Sequence, residues 1–393
     1  MEKDRPVPPS PSDIQLRVDS KRGATNVIHP VGGVTPPLPS SGVAGPLVYT
    51  EGKHFQKWFP WLIPSFVIAT VVMFIFTMYV NNCPKNSATC IARFLGRLSF
   101  QPFKENPLLG PSSDTLQKLG ALDVGKVVHE HQGWRLLTCL WLHAGLFHLL
   151  ANMLSLPVIG IRLEQEFGFV KIGFLYIISG FGGSLLSALF IQTNISVGAS
   201  GALFGLLGGM LSELITNWTM YSSKVAAFIT LVVIIVINLA MGVLPHVDNF
   251  AHIGGFLSGF LLGFVVLIRP QFEWFSQKYA SPGYCSTTVK SKFKTYQCVL
   301  WIISLILLIV GFTSGIILLL RGVDANDLCS WCRYLSCIPT SRWSCKTEPT
   351  YCLTTLAGNQ LNITCSNNGS SEVYILPNPS SSEIQELCND LCR

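Results

Sequence analysis

Four polar residues stand inside long apolar runs of this chain: His148, Asn152, Ser200 and His252. A hydrogen-bonding or ionisable side chain in hydrocarbon is expensive, so each marks a candidate functional position. Their types suit nucleophilic acyl transfer. A serine hydroxyl becomes a nucleophile when a base lies within hydrogen-bond reach. His252 is the histidine within the later apolar runs that can serve as that base. Ser200 sits in Val197-Gly198-Ala199-Ser200-Gly201-Ala202, where small neighbours let a substrate backbone come close. If Ser200 opens a helix, the unpaired N–H groups of the first turn are available to an oxyanion. His148 and Asn152 are four residues apart, hence on one helix face, and their donors suit the same anion. This chemistry calls for neither a metal nor a cofactor.

These residues need elements to carry them. Of the 393 residues, 49% are hydrophobic and 12% charged, against about 25% charged in an ordinary soluble domain. Seven apolar runs stand out, at roughly 60–80, 144–162, 172–191, 198–216, 225–242, 250–268 and 298–320. A helix crosses a bilayer core in about 20 residues, so the expected fold is an all-α polytopic membrane protein. Lys and Arg in short loops set orientation. The loop 269–297 carries Arg269, Lys278, Lys290, Lys292 and Lys294, whereas 192–197 and 243–249 carry none. The loop 269–297 is therefore expected to be cytosolic, with the N-terminus, and the loops 192–197 and 243–249 lumenal, with the C-terminus. Runs two, four and six then descend from lumen to cytosol. Ser200 lies 17 residues before Asn217, His252 17 before Arg269, and His148 16 before Glu164. At 1.5 Å per residue all three lie about 24–26 Å above the cytosolic boundary, in one shallow lumenal layer. Glycines supply a means of contact. Gly255 and Gly259 follow His252 at i+3 and i+7, and Gly201, Gly205 and Gly209 repeat at i+4. Small residues let membrane helices approach closely, so a Ser–His dyad across a glycine-lined contact is expected. By themselves these residues leave a transporter or channel open as a rival.

The set resembles the rhomboid intramembrane serine proteases. Gly198-Ala199-Ser200-Gly201 matches that family's GxSG, and His143 through Asn152 matches its HxxxxHxxxN. Ala251-His252-Ile253-Gly254-Gly255 through Gly259 matches AHxxGxxxG, Gln132-Gly133-Trp134-Arg135 looks like its Trp-Arg element, and Glu164 matches a further position. The resemblance covers roughly 55–270 and its motifs occur in the family's order. It implies a six-helix bundle with Ser200 as nucleophile and His252 as base, and no third acid. His148, Asn152 and the Ser200 N–H would form the oxyanion hole, with Gly198, Gly201, Phe204, Gly255, Gly259, Trp134 and Arg135 in support. Phe204 replaces a tyrosine of some bacterial members and would still pack on the His252 ring. The implied substrates are single-pass transmembrane proteins in the lipid bilayer, cut so as to release lumenal or extracellular domains; nucleic acid is not an expected partner. The seventh run resembles the six-plus-one layout of eukaryotic secretory-pathway members. The Pro-rich head and Cys-rich tail look most like plant members. A catalytically silent rhomboid-like scaffold is the alternative, and a transporter the third reading.

The expected divisions are a disordered Pro-rich cytosolic tail (1–53), a protease core (54–270), a cytosolic loop (271–297), a seventh transmembrane helix (298–320) and a Cys-rich lumenal tail (321–393). The head contains nine prolines and is read as preceding an uncleaved signal anchor. Eight of the thirteen cysteines lie in the last 65 residues: Cys329, Cys332, Cys337, Cys345, Cys352, Cys365, Cys388 and Cys392. Cys83 and Cys90 lie in the first long loop. That density points to disulfides in an oxidising compartment, such as the Golgi lumen or cell surface. The sequons at Asn362 and Asn368 fall in the same space.

Overall fold

The computed structural model describes residues 58–87, 89–218, 223–242, 247–270 and 292–337, and within the tail 352–358, 360–365, 369–376, 383–384, 387–388 and 391. The chain divides into two units, Met1–His54 and Phe55–Arg393. The Pro-rich head, most of the loop 271–297, Cys345, Cys392 and Asn368 lie outside the described residues.

The protein is mostly helical, and each expected apolar run is a helix: α1 (Leu62–Asn81), α2 (Leu146–Phe167), α3 (Phe169–Phe190), α4 (Ser200–Thr216), α5 (Lys224–Met241), α6 (Asn249–Val266) and α7 (Thr295–Leu320). Among the described residues, five segments are long and apolar enough to cross a membrane: Leu62–Lys85, which contains α1, and α2, α3, α6 and α7. The shorter apolar helices are α4 and α5. The largest difference from the expected limits is in α2, which continues to Phe167 beyond the charges at Arg162 and Glu164. The reason is Glu164. Its side chain is buried and accepts hydrogen bonds from the backbone N–H groups of Trp61 (2.9 Å), Leu62 (2.8 Å) and Ile63 (2.9 Å). It thus satisfies the otherwise unpaired donors that open α1.

Helix α4 is the centre of the bundle, buried along most of its length. It lies against α3 and α6 through glycine on glycine. A Cβ on Gly255 of α6 would sit 3.0 Å from the Gly201 Cα, and one on Gly183 of α3 would sit 3.3 Å from the same atom. Gly263 faces Gly209 in the same way, lower on the helices. Without a hydrophobic drive between helices in lipid, such close backbone approach supplies the packing that holds them. Around this centre, α1, α2, α3 and the end of α6 pack Ile63, Leu156, Ile172, Leu175, Tyr176 and Leu267 with Leu206 of α4 in a fully buried apolar core.

The long loop between α1 and α2 is built rather than open. A Cys83–Cys90 disulfide closes its start, and short helices run over Ser113–Leu119 and Val124–Val128. Leu122 forms an isolated antiparallel bridge with Ser196, tying this loop to the segment that leads into α4. The Cys-rich tail forms a small module apart from the helices. It holds a three-stranded antiparallel sheet, β1 (Cys352–Ala357), β2 (Gln360–Cys365) and β3 (Ser371–Ile375). Leu361, Ile363 and Cys388 form its small core, stapled by Cys352–Cys388. A further disulfide joins Cys329 to Cys332 just after α7. Asn362, the acceptor residue of one sequon, lies on β2.

Candidate active site

Three elements deliver the candidate residues, and each does so in its first turn. His148 is the third residue of α2, Ser200 the first of α4, and His252 the fourth of α6. The position of Ser200 follows from its neighbours. Gly198 takes a left-handed backbone (φ +131°) that L side chains rarely adopt, which lets the chain turn abruptly into the helix. The Gly198 N–H donates to the Cys139 carbonyl oxygen (2.9 Å), fixing the turn against the first loop. Ala199 is the N-cap and makes no side-chain cap, so the first-turn N–H groups have no capping oxygen.

Gly198 also brings two helices together. A Cβ at this position would lie 2.7 and 2.9 Å from the His148 ring atoms Cε1 and Nε2, and 3.8 Å from Asn152 Nδ2. The imidazole of His148 and the amide of Asn152 therefore stand directly beside the backbone two residues ahead of Ser200. Asn152 is buried, and its Nδ2 lies 3.1 Å from the Nε2 of His143. The amide nitrogen donates there and keeps its second N–H. The His143 ring packs on the His148 ring, with centroids 5.1 Å apart. His143 belongs to the His143–Asn152 run quoted above, yet its contact with Asn152 was not foreseen; its spacing of nine residues from Asn152, across the start of a helix, gives no periodicity signal.

His252 is buried and stacks on Phe204, with ring centroids 4.4 Å apart and planes 18° from parallel. The expected packing of Phe204 on this ring is what the structure displays. Gly242, at the end of α5, faces the Nδ1 edge of the ring: a Cβ there would lie 3.0 Å from that atom. Nε2 is thus the nitrogen on the opposite edge. Ser200 and His252 approach through their backbones, because a Cβ on Gly201 would sit 3.1 Å from the Ala251 carbonyl oxygen. Gly201 follows Ser200 and Ala251 precedes His252, so the two candidate residues flank a close contact between α4 and α6. No hydrogen bond joins the two side chains in this structure. Such bonds are often long in unliganded sites and tighten when substrate binds.

Trp134 and Arg135 do different work. Arg135 is buried and donates from Nη1 to the carbonyls of Gln117 (2.7 Å) and Ala121 (2.8 Å), and from Nε to Gln132 Oε1 (2.6 Å). Its guanidinium lies 4.8 Å from the ring centroid of Trp134, which is half exposed. The pair organises the first loop. Asp248, which the sequence did not single out, caps α6 by accepting from the Ala251 N–H (2.9 Å). Among the described residues no group of His, Cys, Asp and Glu is arranged to hold a metal ion.

Comparisons with known proteins identify the family. A family model described as the Rhomboid domain matches residues 130–269, which contain every candidate named above. The chain is 65% identical over 345 residues to RHOMBOID-like protein 1 of Arabidopsis thaliana, covering 88% of this chain and 89% of that protein. It is 63% identical to RHOMBOID-like protein 4 of the same plant, over 87% of this chain and 85% of that one. Inactive RHOMBOID-like protein 8, also from Arabidopsis thaliana, is 44% identical over 74% of this chain and 84% of its own length. With identity of this degree over nearly its whole length, alongside plant relatives, the chain belongs to the rhomboid family.

Proposed function

We propose that this rhomboid protein is an active intramembrane serine endopeptidase, with Ser200 as nucleophile and His252 as general base. The carrying observation is the glycine contact that sets Gly201 against Ala251, with His148 and Asn152 beside Gly198 at the same helix ends. In the reaction, Ser200 Oγ attacks the scissile carbonyl carbon as its proton passes to His252 Nε2. The carbonyl oxygen becomes an anion facing the first-turn N–H of Ser200, the free N–H of Asn152 and the His148 imidazole. Collapse breaks the C–N bond, and the leaving amine takes the proton from His252. Water then attacks the acyl-serine ester with His252 again as base, releasing the second product and restoring Ser200. Phe204 supports this by holding the His252 ring face.

Substrates in this reading are single-pass membrane proteins cut near the lumenal face, so that their lumenal domains are released. Paired cysteines in the first loop and the tail support a lumenal placement for both, and hence a cytosolic N-terminus and a place in the secretory pathway. The second reading, a silent client-binding rhomboid, is favoured by the relative named inactive at 44% identity. The test is cleavage of a model transmembrane substrate in proteoliposomes. Wild type should cut it, while Ser200→Ala and His252→Ala should each leave no cleavage at unchanged expression. Robust cleavage by Ser200→Ala sinks the assignment. A wild type that binds but never cuts favours the second reading.

A further inference from the structure

One polar cluster at the site has no part in the steps above. Asp248, partly buried at the start of α6, gathers three elements on its carboxylate. Oδ1 accepts from the Ala251 N–H (2.9 Å), one residue before His252. Oδ2 accepts from the Ser187 hydroxyl of α3 (2.5 Å) and from the Ser196 hydroxyl (2.6 Å), two residues before Gly198 and four before Ser200. Ser196 is itself held on both backbone groups by Leu122, with N···O distances of 3.0 Å. The cluster lies one turn beyond the place where Gly183 of α3, Gly201 of α4 and Ala251 of α6 meet. Below it, the helices are fixed by backbone packing. Above it, where the Ser200 turn leaves the packed region, Asp248 is the group that ties that turn to the His252 helix.

We propose that Asp248 is the positioning residue of the dyad, locking the Ser196–Ser200 turn, α3 and the first turn of α6 into one register. It touches neither substrate nor reacting atoms and acts through Ser196 and Ala251. The claim about rate rests on the protease reading; the claim about coupling does not. A misplacement of about 1 Å is enough to cost on the order of 100-fold in rate, so loosening this tie should appear in kcat with KM nearly unchanged.

The experiment uses the full chain in proteoliposomes, with a cleavable transmembrane substrate, a fluorophosphonate probe of serine reactivity, and amide hydrogen exchange. Asp248→Ala should lower kcat and the probe reaction rate by about 10- to 100-fold at similar KM. Asp248→Asn, which keeps an acceptor for Ala251 and offers an amide to the two hydroxyls, should recover most of the loss. Ser196→Ala removes a single hydroxyl and keeps the test decisive if Asp248→Ala folds poorly: kcat should fall several-fold with the denaturation midpoint unmoved. Exchange should quicken in 196–202 and 249–253 together in Asp248→Ala. Unchanged kcat in Ser196→Ala, or quickened exchange in only one of the two segments, overturns the proposal. If wild type neither cleaves nor reacts with the probe while both segments still loosen together, the protease reading fails and the tie stands.

Discussion

At the scale of the residue, the candidate site depends on a glycine as much as on the groups that would do chemistry. Gly198 holds a positive φ and leaves no room for a Cβ beside His148. Gly198→Ala is therefore expected to lose about 100-fold in kcat while the protein still inserts and folds, measured as cleavage rate per mole of folded enzyme. Asn152 is aimed by His143. His143→Ala should lower kcat less than Asn152→Ala does, because it releases the amide without removing it; a larger loss in His143→Ala would contradict that order. Losing an oxyanion donor outright typically costs about 100- to 1,000-fold in kcat. The residue types of the site were legible in sequence because polar groups in apolar runs are conspicuous. The contact of His143 with Asn152 and the role of Asp248 were not, because each residue lies in a loop or at a helix start, where a polar residue is unremarkable until its partners are seen.

At the scale of the element, the helices are set by their ends and by their glycine faces. Glu164 binds three N–H groups at the head of α1 although it is about a hundred residues away in sequence. Glu164→Ala should destabilise the bundle by about 1–2 kcal/mol, read as a lower unfolding midpoint in detergent, with Glu164→Gln losing less. Its charge made α2 look shorter than it is, since a glutamate in an apolar run reads as a boundary when nothing reveals its partner. Helix α6 rests on α4 through Gly255 and Gly259. Gly255→Leu should separate the two helices and remove both activity and stability, whereas Gly311→Leu on α7, whose Cβ position is open, should spare both. The spacing of these glycines pointed to a contact, but only the packed backbones decided that Gly201, Gly255 and Ala251 are the ones that meet.

At the scale of the whole molecule, a helical bundle carries a loop and a tail that are cross-linked by cysteine. If the tail is lumenal, protease added to sealed microsomes should leave it intact, and non-reducing peptide mapping should recover Cys83–Cys90, Cys329–Cys332 and Cys352–Cys388. Alkylation of the unreduced, denatured protein should label Cys139 and Cys298, which carry no disulfide. The apolar runs, their order and the membrane class followed from sequence alone, because hydrocarbon imposes a length and a composition on any helix that crosses it. The motif residues on those runs followed as well, because a histidine is costly in hydrocarbon and spaced glycines mark close helix contacts there. The tertiary structure decided what sequence spacing does not encode. Pairings between segments far apart, such as Leu122 with Ser196, Glu164 with the head of α1 and Asp248 with two serines, depend on how the helices dock. The sheet in the tail depends on strand register and on which cysteines meet. The pairings between distant segments are contacts closed across long stretches of chain, and their geometry exists only once the bundle has formed.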